Sequence, residues 1–122
     1  MIYILVMLFL QVSILAPIQS AFQKTDVSFL EKKMEEDITI VINGEGGKRP
    51  APQAALMLRN FFKNHPLKDI KWVHSGSSPN TEYTIGKYTD ANGMQFRVFI
   101  VVAKERGRIR QIRISKYEAE TQ

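Results

Sequence analysis

The chain has 122 residues, with 17 lysines and arginines against 12 acids, a formal charge of +5 and no cysteine. The missing cysteine excludes a thiol nucleophile, a Cys-ligated zinc or iron–sulfur site, a disulfide framework and a lipid anchor attached through cysteine. A chain of this length supports one modest hydrophobic core and not two, so stability rests on that core or on a partner.

Residues 1–21, MIYILVMLFLQVSILAPIQSA, carry no charge. They are apolar from Ile2 to Leu10, broken by Gln11 and Ser13, and ended by Pro17 and small residues. The apolar run is shorter than the roughly 20 residues a spanning helix needs. It reads instead as a signal-peptide core followed by a processing site, after Ser20 or Ala21. The expectation is an exported, periplasmic or extracellular protein with no membrane span after cleavage and a single domain over residues 22–122. Charge beyond the leader is uneven: residues 22–47 sum to −3 and residues 48–122 to +8. Such asymmetry can create a basic face, but export makes nucleic acid an unlikely partner.

Residues 27–36 place Val27, Leu30 and Met34 at helical spacing, with Asp26 positioned to cap the first turn, and predict a short amphipathic helix. Ile38 to Ile42 is a β-branched run and predicts a strand closed by Asn43-Gly44. Residues 43–52 hold three glycines and two prolines and predict a loop. This stretch is not a phosphate loop, because it lacks the Gly-Lys-Ser/Thr ending. Residues 52–64 predict a helix whose apolar face is Ala55, Leu58, Phe61 and Phe62, with Pro66 ending it.

Four β segments follow, at 69–75, 82–89, 94–104 and 108–117, joined by short turn-like links of which Asn92-Gly93 is the clearest. They predict an antiparallel meander and an α+β fold. In the third segment Phe96, Val98 and Ile100 share one face and Arg97, Phe99 and Val101 the other, so that strand is central. Ile112 and Ile114 are out of phase with Ile109, which predicts a β-bulge near Arg110–Gln111.

Phe61-Phe62-Lys63-Asn64-His65-Pro66, Trp72-Val73-His74-Ser75-Gly76-Ser77-Ser78, Tyr83-Thr84-Ile85-Gly86 and Gly93-Met94-Gln95-Phe96-Arg97-Val98 together resemble DUF4783, a family of small exported Bacteroidetes proteins of unknown function. The likeness spans roughly residues 38–117. It implies a fold like nuclear transport factor 2, with helices packed into a strongly bent antiparallel sheet that forms a cone with room for a pocket. The family usually has a longer helical region before its first strand than residues 22–37 provide. A shortened helical layer would leave the cone less covered and favour a homodimer. No catalytic or binding residue carries over, because the family has no established activity.

The residues themselves offer few chemical groups. His65 follows a helix end. His74 is in phase with Ile70 and Trp72 and is expected to point inward, where a general base would need a carboxylate in reach. The spacing supplies no metal-ligand set and no catalytic constellation, and implies no cofactor. Trp72, His74, Tyr83 and Arg97 are the candidate ligand-binding residues. Arg97 on a central strand needs an acid, an aromatic face or an anionic ligand, and Glu82 is the nearest candidate acid. The basic run Arg106, Arg108, Arg110, Arg113 and Lys116 reads as a solvated edge. The function these residues favour is a non-catalytic exported module that binds a small ligand, a glycan or a protein. The alternatives are an enzyme using His74 or an acid in the cone, and a homodimeric assembly module joined through Phe99, Val101 and Tyr88.

Overall fold

The computed structural model describes residues 13–117. Helices α1 (Ala16–Gln23), α2 (Val27–Lys32) and α3 (Ala51–Asn64) cover one face of a six-stranded sheet. Its strands are β1 (Met34–Ile42), β2 (Glu45–Pro50), β3 (Leu67–Ser77), β4 (Thr81–Asp90), β5 (Gln95–Ala103) and β6 (Arg108–Lys116). They lie in the order β2-β1-β6-β5-β4-β3. The predicted meander is present as β3 to β6, all antiparallel. The chain's first strand pairs parallel to its last, so β6 with its basic run lies inside the sheet and not at the edge its charges suggest.

The core lies between helices and sheet. Leu58, Phe61 and Phe62 of α3 meet Phe96, Val98 and Ile100 of β5 and Ile112 and Ile114 of β6, all of them buried. Asp26 caps α2 as expected, its carboxylate accepting the Phe29 N–H at 3.1 Å. The predicted bulge is also present, since Val101 pairs with Gln111 and Val102 with Ile109, leaving Arg110 as the extra residue.

Four further expectations are corrected. The helix predicted over 27–36 stops at Lys32, and Met34 already begins β1, where its buried side chain faces the core. Helical spacing could not separate a helix end from a strand start in this stretch. The predicted loop at 43–52 contains β2, which pairs with β1 across a turn at Asn43 and Gly44, both with positive φ. Glycine is required at residue 46, because φ is +137° and a Cβ there would run into the Ile40 carbonyl. Tyr88 is fully buried on the helix side of the sheet and cannot be an outer contact.

The fourth correction concerns the helical layer, which is not shortened. Residues 16–23, most of which sequence assigns to the leader, form α1, with Ile18, Ala21 and Phe22 buried. Phe22 packs edge-on against Phe62 at 5.5 Å and Trp72 at 6.2 Å. The Gln19 side-chain amide donates to the buried Thr84 hydroxyl at 2.9 Å, which also receives the Ser75 hydroxyl at 3.0 Å. Residues 1–12, which sequence also assigns to a leader, lie outside the described residues.

Candidate functional site

The four candidate ligand residues divide between the two faces of the sheet. Trp72 points to the helices, its ring over Gly86 and against Phe22. Its indole nitrogen is buried with no hydrogen-bond partner among the described residues. The interior around it is filled by Phe22, Phe62, Tyr88 and Phe61, whose rings pack within 6.1 Å of one another in sequence.

His74 does not share that face. Trp72 pairs with Gly86 and His74 with the adjacent Ile85, so Val73 is an extra residue and the strand's phase inverts at the bulge. His74 therefore lies on the outer face, where a ring nitrogen sits 2.9 Å from the Tyr83 hydroxyl. Tyr83 lies over Gly76 and 5.8 Å from Phe99. Arg97 is on the same outer face and exposed, as its alternation with Phe96 and Val98 predicts. Three of the four candidates are thus on the face away from the helices.

Arg97 does not meet Glu82. Glu82 pairs with Val102, whereas Arg97 stands opposite Lys87 on one side and Ser115 on the other. Lys87 in turn stands opposite Lys71. Three cations therefore run across three adjacent strands in one lateral row, and none forms an ion pair among the described residues. Beside the row is a groove of about 680 Å³ lined by Val73, His74, Ile85, Lys87, Arg97 and Tyr117. Val73 is 61% exposed and Tyr117 46%, and the Lys87 ammonium lies 5.2 Å from the Tyr117 ring centre.

Sequence reasoning missed this row, although part of it was accessible. The Asn92-Gly93 turn fixes the β4–β5 register, and that register sets Lys87 against Arg97. It also missed a polar cluster at the other end of the sheet. Asp90 is 1% exposed and its carboxylate accepts from the Asn92 and Met94 N–H groups and meets His65 Nδ1, each at 2.9 Å. The His65 hydrogen bond, aided by those N–H groups and opposed by burial, holds the Asp90 carboxyl below the usual carboxylate range. The Tyr88 hydroxyl donates to the His65 carbonyl, and its pKa is raised by burial and then by the Asp90 charge. The two N–H contacts hold the β4–β5 turn and the His65 contact joins that turn to the end of α3, which is a structural task. Among the described residues no group of three or more His, Asp or Glu side chains could hold a metal ion.

A mixed sheet of this order, with helices confined to one face, is a fold like that of nuclear transport factor 2. An NTF2-like protein of unknown function from Mesorhizobium loti matches it with a TM-score of 0.62 at 18% identity, over 86% of this chain and 88% of the other. Within that class the chain belongs to the DUF4783 family, a domain of unknown function whose family model matches residues 15–115. A DUF4783 protein from Bacteroides ovatus is 25% identical with a TM-score of 0.74, over 82% of this chain and 92% of that one. One from Bacteroides uniformis is 24% identical with the same TM-score of 0.74, over 82% and 94%. No curated protein matches the chain. The family match begins at residue 15, so it includes α1.

Proposed function

We propose that this protein is a non-catalytic binding module whose ligand site is the groove on the outer face of the sheet. The observation that carries this reading is the Lys71–Lys87–Arg97 row, beside a concavity with exposed apolar and aromatic walls. Like charges directly opposite one another destabilise a sheet, and an anion settling between them offsets that cost. Among the described residues the interior offers one unpartnered donor, the Trp72 indole, among packed aromatic rings. A single donor in a filled space is a weaker invitation than three aligned cations beside an open one. Amide shifts of isotope-labelled protein, recorded against a panel of small organic ligands, test the location. Shifts should cluster at residues 73–74, 85–87, 97 and 115–117. Shifts confined to Phe22, Trp72 and Thr84 would move the site inside the cone.

Two further parts of the reading concern the molecule's setting. The chain is exported, and processing falls ahead of Leu15 rather than at Ser20 or Ala21, because α1 contributes buried side chains to the core. The mass of the mature protein from its cell envelope tests this. A mature N-terminus at Ala21 or Phe22 would refute the placement, and an intact Met1 on a cytoplasmic protein would refute export. The apolar half of the outer face, Phe99 and Val101, joins two copies into a dimer, which sedimentation at micromolar concentration tests. No helix among the described residues is long and apolar enough to cross a membrane.

A further inference from the structure

We infer that the ligand class of this groove is a small organic anion with an apolar body. Its acid group would lie on Arg97 and Lys87, the two cations of the row that line the groove, and its body over Val73, Ile85 and Tyr117. The inference rests on the groove being the binding site and adds the chemistry it selects. Neighbouring strands are about 4.8 Å apart, so the three cations span about 10 Å along one line. An anion at the middle of that line is within reach of the Arg97 fork and the Lys87 ammonium together. The Ser115 hydroxyl, opposite Arg97 on β6, continues the row with a neutral donor. The one acid nearby on this face of β3 is Asp69, which pairs with Thr89 and forms no ion pair among the described residues. The row is therefore uncompensated from within the described chain.

Apolar side chains stand next to the charges. Directly beside Arg97 and Lys87 in the strand direction are Phe99 and Ile85, paired with each other and only half-buried. Val73, pushed outward by the bulge, and Tyr117, held against Lys87, flank the same space. A bare inorganic anion would use the cations and leave these walls wet. A neutral apolar molecule would use the walls and leave the cations uncompensated. A molecule carrying both parts uses the whole groove, whose 680 Å³ falls in the range of small-ligand sites.

The test uses the full chain and two fluorescent probes of nearly the same shape, anilinonaphthalene sulfonate and its uncharged relative phenylnaphthylamine, with inorganic phosphate as a third arm. The sulfonate should shift the amides of Val73, His74, Ile85, Lys87, Arg97 and Tyr117, and added salt should weaken its binding. Replacing both cations, Lys87→Met with Arg97→Met, should weaken the sulfonate about tenfold or more, as expected for losing charge-assisted contacts. The same variant should leave the melting temperature unchanged or raise it, because a like-charge pair is removed. If the neutral probe binds these residues as tightly as the sulfonate, the anion requirement falls while the groove remains the site. If phosphate binds as tightly as the sulfonate, the apolar body falls. If no probe shifts these amides, the groove itself is not the site.

Discussion

At Asp90 one carboxylate serves two chain segments. One oxygen takes the N–H groups of Asn92 and Met94 and so shapes the β4–β5 turn, while the other meets His65 at the end of α3. Tyr88 adds a bond from its hydroxyl to the His65 carbonyl, and Phe61 and Phe96 flank the imidazole with ring centres 5.1 and 4.7 Å away. Because the folded carboxyl has a lowered pKa, the ionised form is favoured by folding. The stability it adds is present above the ordinary carboxylate value of about 4 and is lost as pH falls through the lower folded value. Asp90→Asn should therefore lower the melting temperature at pH 7, and the gap between mutant and wild type should narrow toward pH 2. A gap that stays constant across that range would mean that the carboxylate charge contributes nothing. His65 and Asp90 are 25 residues apart in sequence. No local pattern joins them, and Asp90 could be read only as a strand-end residue until the fold brought the α3 terminus beside the turn.

Among the elements, α3 and the four meander strands were legible because each follows one rule along its whole length. The α3 face repeats at helical spacing, the strands alternate, and turn residues stand between them. The two strands that were shifted or missed depend on pairing, one with a distant strand and one with its neighbour across the Asn43-Gly44 turn. Met34 joins β1 only because β6 lies parallel to it, with Ile109 opposite, and β2 forms only because β1 offers its free edge to a glycine-rich segment. Plain alternation puts His74 on the inner face, but one extra residue, Val73, inverts it, and nothing in the letters Trp-Val-His marks a bulge. The α1 segment posed a different difficulty. An apolar stretch near an N-terminus that ends in small residues has the composition of a leader, and a core helix with Ala21 facing the sheet has the same composition. The structure supplies a measurable distinction. A chain beginning at Phe22 lacks Leu15, Ile18 and Ala21 from the core as well as the Gln19–Thr84 bond. Losing one buried Leu or Ile alone costs about 2–5 kcal/mol. In a denaturant melt a chain starting at Ser13 should be the more stable of the two by at least that amount. Equal midpoints would return α1 to the leader.

On the scale of the whole molecule, the sheet's outer face is cationic at one end and mostly apolar toward the other, where Arg113 stands between Phe99 and Val41, and this uneven pattern bears on self-association. Across one end lie Lys71, Lys87 and Arg97, and across the other lie Val101 and Tyr83, with the row His74, Ile85, Phe99, Arg113 and Val41 between. With the helical layer complete, a dimer is not needed to finish the core. What remains is the half-buried apolar surface on the side the helices leave open, and surfaces of that kind mark interaction sites. Two copies meeting through their apolar halves would bury Phe99 and Val101 while holding the cationic rows toward the rim. There the rows still repel one another across a screened distance. Two outcomes follow from that balance. Val101→Lys should shift the protein toward monomer in sedimentation at micromolar concentration, because it places an unpaired charge in the apolar contact. Raising the salt concentration should tighten the wild-type dimer, since screening removes repulsion between the rows while leaving apolar burial in place. A dimer that loosens with salt would instead be held by ion pairs. A wild type that stays monomeric at every salt concentration would leave the whole outer face free for ligands.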